Sequence, residues 1–176
     1  TIPIANKPMI LYPLESMIKI GIKEIGVIVN DTKSEIETIL GDGHKWGVKI
    51  KYIFQETPLG LGHCIKISRE FLGEEKFLFY LGDNIFTGDL TPIAKKFLQS
   101  NDNCHLLLVE VDNPSGFGQA IVRNGRVIKT VEKPPEAISN WAIAGIYFLD
   151  HHCFDSFQRR DAIKPSARGE LEIPDI

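Results

Sequence analysis

The sequence predicts an α/β fold: a mixed, mostly parallel sheet with helices on both faces, joined to a β-hairpin portion. Three observations carry this. From residue 13 to residue 81, amphipathic helical stretches alternate with short apolar runs, the pattern of βαβ units. The run Phe77-Leu78-Phe79-Tyr80-Leu81 is wholly apolar or aromatic, as expected of an interior strand buried on both faces, and it breaks at Gly82-Asp83-Asn84. Later, Asn124-Gly125 separates Ala120-Ile121-Val122-Arg123 from Arg126-Val127-Ile128-Lys129, the strongest hairpin signal in the chain, with a type I′ turn.

Residues 13–20 fit a short helix, with Pro13 tolerated in its first turn and Gly21 as its stop. Ile25-Gly26-Val27-Ile28-Val29 makes 24–30 a buried strand. Asp31 or Thr32 then caps a helix over 33–40, whose Ile36, Ile39 and Leu40 share one face, and Gly41-Asp42-Gly43 ends it. A lysine-alternating strand over 48–54 leads into the loop Gln55-Glu56-Thr57-Pro58-Leu59-Gly60-Leu61-Gly62, followed by a helix over 63–71 and the strand at Phe77. Beyond Asp83 come an amphipathic helix over 90–98, an apolar strand over 104–111, the hairpin, a strand over 141–149 containing Gly145, and a helix over 150–159. No repeat or linker interrupts the pattern, so residues 1–176 read as one domain.

Composition excludes several classes. A net charge of −3, with 43% hydrophobic and 24% charged residues, gives no bulk attraction to nucleic acid or to an anionic membrane. No run approaches the ~18 apolar residues of a membrane-spanning helix, and the opening residues lack the pattern of a signal peptide. Cys64, Cys104 and Cys153 form neither a disulfide framework nor a zinc pattern, and read as small buried hydrophobes in a reducing cytoplasm. The chain starts at Thr1 in a turn-like segment, and its end alternates apolar and acidic residues from Glu170 to Ile176 with nothing to terminate them. Both ends are expected to continue into a longer chain.

Ligands of open α/β sheets bind beyond the carboxyl ends of strands. Asp83 stands at such a position, where one carboxylate can hold Mg²⁺ alongside substrate phosphates; the alternative is that it caps the next element. Gly60 and Gly62 would let backbone pass close to a flat ligand, and the Gln55 amide offers donor and acceptor to a base edge, although turns of this composition are common. Glu132-Lys133 before Pro134-Pro135 would set a carboxylate on sugar hydroxyls and an ammonium on a phosphate, or else be an exposed charge pair. Gly116-Phe117-Gly118 would bring backbone N–H groups to a ligand, or else form a bulge. His151-His152, adjacent rather than four apart, reads as helix-cap decoration rather than a metal pair. No Cys–His or Ser–His–Asp order supports a covalent nucleophile. The half up to Asn84 reads as a nucleotide platform and the later half as a lid for a second substrate.

These short motifs fall in a familiar order. Ile4-Ala5-Asn6-Lys7-Pro8-Met9-Ile10 with Tyr12-Pro13-Leu14, Gln55 with Pro58-Leu59-Gly60-Leu61, Leu81-Gly82-Asp83-Asn84-Ile85-Phe86, Phe117-Gly118, Glu132-Lys133-Pro134, Ala144-Gly145-Ile146-Tyr147 and Pro165-Ser166-Ala167-Arg168-Gly169-Glu170-Leu171-Glu172-Ile173 together cover essentially the whole chain. The chain resembles glucose-1-phosphate thymidylyltransferases, within the sugar-phosphate nucleotidyltransferases. The resemblance implies a Rossmann-like fold in which Gln55 and Gly60 read the nucleobase, and Asp83 binds Mg²⁺ near the α-phosphate. It implies that Gly118, Glu132, Lys133 and Tyr147 line the sugar-phosphate site, with Glu170 a further sugar-side or supporting position. The implied partners are a nucleoside triphosphate (dTTP or UTP) and a sugar 1-phosphate, and it leaves room for a homo-oligomer. The implied product is a nucleoside-diphosphate sugar for polysaccharide or deoxysugar biosynthesis, with pyrophosphate released.

The departures carry expectations of their own. The family's first strand, its glycine-rich phosphate loop and a nearby Lys should precede Thr1, and a second metal-binding Asp should follow Ile176. Ala144 and Pro174 stand where Thr is usual. The 176 residues alone are therefore expected to be poorly active or inactive. Two alternatives compete: a non-catalytic nucleotide-sugar-sensing or scaffold domain of the same fold, and a metal-dependent glycosyltransferase.

Overall fold

The computed structural model describes residues 2–31, 33–158, 165–166 and 169–171. The expected roles of Thr32, Arg159, Ala167, Arg168, Ile173 and Pro174 lie outside the described residues. The fold is mixed α/β. A two-residue ladder of β1 (Pro3–Ile4) and β2 (Lys7–Pro8) precedes α1 (Leu11–Lys19), β3 (Glu24–Val29), α2 (Lys33–Leu40) and β4 (Lys49–Phe54). Then follow α3 (Leu61–Ile67), α4 (Arg69–Leu72), β5 (Phe77–Tyr80) and α5 (Thr91–Gln99). The remainder is β6 (Cys104–Glu110), β7 (Gln119–Arg123), β8 (Arg126–Val131), β9 (Trp141–Leu149) and a 3₁₀ helix, His151–Phe157. The helix expected over 63–71 is two, because the Ser68 hydroxyl donates back to the Cys64 carbonyl at 2.8 Å and the ladder breaks there.

β3 and β4 pair in parallel, from Glu24↔Lys49 to Val29↔Phe54, as the α2 crossover requires. The expectation of a mostly parallel sheet fails beyond that pair. β5 runs antiparallel to β9 (Phe77↔Leu149, Tyr80↔Ile146), and β9 is also antiparallel to β6 and β7. Helix–strand alternation dictates how consecutive strands connect, not which strand a later segment will insert beside. The organising strand is accordingly β9, arriving more than sixty positions after β5. On one face its Ile143, Tyr147 and Leu149 join Ile65 of α3 with Cys153 and Phe154; on the other, Ile146 and Phe148 join Ala94 and Phe97 of α5. Period-two alternation therefore buries both faces of this strand. At Asn124 (φ 50°) and Gly125 (φ 73°) the β7–β8 connection has the two positive φ values a type I′ turn needs.

Among the described residues no ladder joins β3 to β5. Between them lies a cavity of about 530 Å³, lined by Ile25, Val27 and Ile28 from β3 and by Phe77 and Phe79 from β5. That cavity explains why Phe77, Leu78 and Phe79 are only half-buried where burial on both faces was expected. Cys104 also departs from expectation: it is exposed, whereas Cys64 and Cys153 are buried. No described helix is long and apolar enough to cross a membrane.

Candidate active site

Asp83 is exposed, one turn beyond the carboxyl end of β5. The turn is fixed from two directions. The Leu81 N–H donates to the Gly145 carbonyl at 3.0 Å and the Asn84 N–H to the Leu81 carbonyl at 3.1 Å. The Asn84 amide then reaches across to β9, donating to the Ala144 carbonyl at 2.5 Å. β9 bulges at this spot: between the pairs Leu106↔Tyr147 and Leu108↔Ile143, three of its residues, Ala144 to Ile146, stand opposite the single Leu107 of β6, and Gly145 adopts φ +69°. Sequence reasoning named Gly145 only as part of a strand and gave Asn84 no role. The LGDN turn and the glycine in β9 are two halves of one device.

The bulge also begins the second cluster. The Ile143 N–H donates to the Gly118 carbonyl at 2.8 Å. A Cβ on Gly118 would meet Glu132 Oε2 at 2.8 Å, so glycine here admits the carboxylate. Glu132 Oε1 lies 3.7 Å from Lys133 Nζ, and Lys133 holds φ +41°, a costly backbone state for a non-glycine residue. Tyr147 is a core side chain, 6% exposed, with its ring 6.0 Å from that of Phe79. Burial, and then the Glu132 charge, push its phenol above the usual tyrosine range. Gly118, Glu132, Lys133 and Tyr147 are thus gathered by β7, β8 and β9, with Tyr147 packed inward rather than forming an open wall.

Gln119 was missed by sequence reasoning, although a glutamine opening the apolar run Ala120-Ile121-Val122 was a usable signal. It is fully buried and bonded at both ends of its amide: Nε2 donates to the Pro114 carbonyl at 3.1 Å, and Oε1 accepts from the N–H groups of Ile138 (2.8 Å) and Ser139 (3.3 Å). It ties the loop carrying Gly118 to the segment entering β9, and a buried amide bonded at both ends positions both.

Gln55 follows β4, anchored by its N–H to the Val29 carbonyl at 2.8 Å. Its Nε2 lies 2.9 Å from His63 Nδ1 and 3.4 Å from the Gly60 carbonyl, and Gln55 lines the same cavity as Leu81 and Gly82. Gly60, at φ +90°, is glycine for a reason the sequence did not give. A Cβ there would meet the Leu171 carbonyl at 2.7 Å and Glu170 Cβ at 2.8 Å. Segment 169–171 crosses the loop as a bridge, with Leu171 N–H to the Leu59 carbonyl at 2.7 Å and Gly62 N–H to the Leu171 carbonyl at 2.8 Å. Glu170 is therefore placed against the Gln55–Gly62 loop. Burial pushes the Cys64 thiol up and the Cys153 thiol up to about 12, so both stay protonated near neutrality and neither serves as a thiolate nucleophile.

Two groups of residues are thus held around one β9 bulge and one cavity, with hard oxygen donors and a cation but no activated side-chain nucleophile. The model of the nucleotidyl transferase family matches residues 1–176. The chain belongs to the nucleotidyl transferase family. It is 42% identical over 175 residues to a glucose-1-phosphate thymidylyltransferase of Streptomyces griseus, covering 99% of this chain and 48% of that protein. It is 40% identical over 176 residues to a low-salt glycan biosynthesis nucleotidyltransferase of Haloferax volcanii, again covering 99% of this chain and 48% of that protein. The fold superposes with TM-score 0.90 and 33% identity on a Bacillus anthracis structure described as a glucose-1-phosphate thymidylyltransferase in complex with a sucrose, covering 99% of this chain and 70% of that one. A UDP-glucose pyrophosphorylase structure shares the fold at TM-score 0.81 and 23% identity, covering 99% of this chain and 75% of that one. This member of the nucleotidyl transferase family spans about half the length of the first two relatives.

Proposed function

We propose that this chain is part of a sugar-phosphate nucleotidyltransferase that joins dTTP or UTP to a sugar 1-phosphate, probed best with glucose 1-phosphate. The observation that carries the reading is the stapling of the Asp83 turn to the β9 bulge, beside the Gly118–Glu132–Lys133 cluster. An oxygen of the sugar phosphate attacks the α-phosphorus of the triphosphate; the α–β bridging bond breaks and pyrophosphate leaves. The nucleophile belongs to the substrate, in keeping with the lack of an activated side chain. Positioning and charge neutralisation are what the chain must supply.

The lone exposed carboxylate of Asp83 suits Mg²⁺, which takes one or two carboxylates and completes its shell with water and substrate phosphates. When bound, the ion would neutralise the charge that builds on the phosphate oxygens. Lys133, exposed beside Glu132, adds an ammonium for the sugar phosphate, and the Glu132 carboxylate accepts from sugar hydroxyls. Gln55 offers its amide to the base edge, exchanging its His63 contact for the ligand. Nothing in this scheme needs a membrane or a nucleic acid, and a cytoplasmic setting with free nucleotides suits it.

The cavity between β3 and β5 bears on the same reading. Both strands turn an edge of N–H and C=O groups toward an apolar slot, and buried edges of this kind are normally paired. We propose that one further strand, outside these 176 residues, fills the slot and brings the phosphate-binding loop with it. The test is pyrophosphate release with Mg²⁺, dTTP and glucose 1-phosphate, comparing the 176 residues with the longer protein. The longer protein is expected to turn over and the 176 residues to stay near background; brisk turnover by the 176 residues alone would overturn the strand proposal.

A further inference from the structure

The end of β9 far from Asp83 carries a second constellation. The register Phe77↔Leu149 and Tyr80↔Ile146 puts Asp150 beside the start of β5, whereas Asp83 lies beyond its end. Asp150, His151 and His152 each offer one ligand atom there, and those atoms all lie within 4.8 Å of one another.

The carboxylate is held in place before any ligand arrives. The Asp150 N–H donates to the Asn103 carbonyl at 3.0 Å, and Asp150 Oδ1 accepts from the His152 N–H at 3.0 Å, capping the 3₁₀ helix. Its Oδ2 is left pointing at the imidazole, 3.1 Å from His152 Nδ1. Two ligands bound at about 2.0–2.1 Å with tetrahedral angles stand about 3.3 Å apart, so this pair is already near the required separation. The His151 and His152 rings lie against each other, tilted by 31°, with their centroids 4.2 Å apart. Asp150 is shielded at 10% side-chain exposure while His152 stands at 49%, which leaves the histidine side open to solution.

We propose that Asp150, His151 and His152 form a binding site for a late first-row divalent cation of the Zn²⁺ class, distinct from the Asp83 site. Two imidazole nitrogens and one carboxylate oxygen are the donor set such ions prefer, whereas Mg²⁺ prefers oxygen alone. With three protein ligands, the ion keeps a position for water. The adjacent-histidine spacing, read from sequence as cap decoration, is productive because the cap is made by Asp150 through the His152 backbone N–H, so neither ring is consumed by it.

Calorimetric titration of the chain with Zn²⁺, repeated on His152→Gln, His151→Gln and Asp83→Asn, tests this. Either glutamine variant keeps the Asp150 cap, which uses a backbone N–H, and His152→Gln gives up only the ring contact to Oδ2, which a glutamine amide can replace, so the metal-free thermal midpoint is expected to move little. Zn²⁺ affinity should fall by at least about tenfold in each histidine variant. Asp83→Asn should leave it unchanged. An affinity no higher for the parent chain than for the double histidine variant, including no measurable binding to either, would overturn the site.

Discussion

Replacing Asp83 with Asn in the longer protein is expected to lower kcat by about 10²–10³-fold, the size of effect seen when one preorganised electrostatic group is removed from a reaction centre. Asn keeps the volume and one oxygen but loses the charge. Asp83 is exposed and takes no part in the bonds that hold its turn, which run through Leu81, Asn84, Ala144 and Gly145. Stability should therefore move by no more than about 0.5 kcal/mol, as for an ordinary surface substitution. The signature is a rise in the Mg²⁺ concentration needed for half-maximal rate. An unchanged Mg²⁺ dependence would remove Asp83 from the metal role.

The second large effect is on folding. Gly145→Ala should destabilise the chain by about 2–4 kcal/mol, from the left-handed backbone penalty of about 1–2 kcal/mol plus overpacking. The added Cβ would collide with the Asn84 amide and come to 2.7 Å from Leu81 Cδ1, in a bulge that φ +69° already reserves for glycine. The Asn84 amide cannot retreat cheaply, since it is bonded to the Ala144 carbonyl, whereas the Leu81 side chain can turn aside. Urea unfolding reads the shift in midpoint at constant slope. A loss below about 0.5 kcal/mol would place the substitution among ordinary surface changes and show that the staple is loose.

Much of this was legible beforehand, and the particular residues explain where legibility ended. The extents of α2 and β9 matched, and the Asn124-Gly125 turn followed from local chemistry, because periodicity and turn preferences are properties of a few neighbouring residues. Pairing is not local. The run at β5 announced an interior strand but not that its partner would be antiparallel β9, and the apolar 77–81 run looked the same whether both edges were covered or one faced a slot. The site showed the same division. Asp83, Glu132 and Lys133 stood out as charges at strand ends. Asn84, Gln119 and the Gly60–Leu171 bridge did not, because their work is done on backbone atoms brought from 60, 19–20 and 111 positions away. The glycines were visible as residues, yet their reasons were distant: Gly60 for segment 169–171, Gly118 for a carboxylate, Gly145 for an amide.

On the proposed function, such an arrangement would keep the two substrates in register. Asn84 links the turn bearing Asp83 to the strand that, through the Ile143 N–H and the Gly118 carbonyl, begins the Glu132–Lys133 cluster. A rigid hydrogen-bonded link of this length holds the two groups at a fixed separation, which is what an in-line displacement between two bound phosphates requires. The slot between β3 and β5 borders the same turn through Leu81 and Gly82, so a strand seated there would arrive beside Asp83.

Product analysis by ³¹P NMR on the longer protein with Mg²⁺, dTTP and glucose 1-phosphate puts this account to its most direct test. Pyrophosphate and a diphosphate-bridged sugar should grow together at one rate, both slowed by Asp83→Asn. Free nucleoside diphosphate with inorganic phosphate instead would point to hydrolysis, and tight substrate binding with no product to a sensor; either result would contradict the reading.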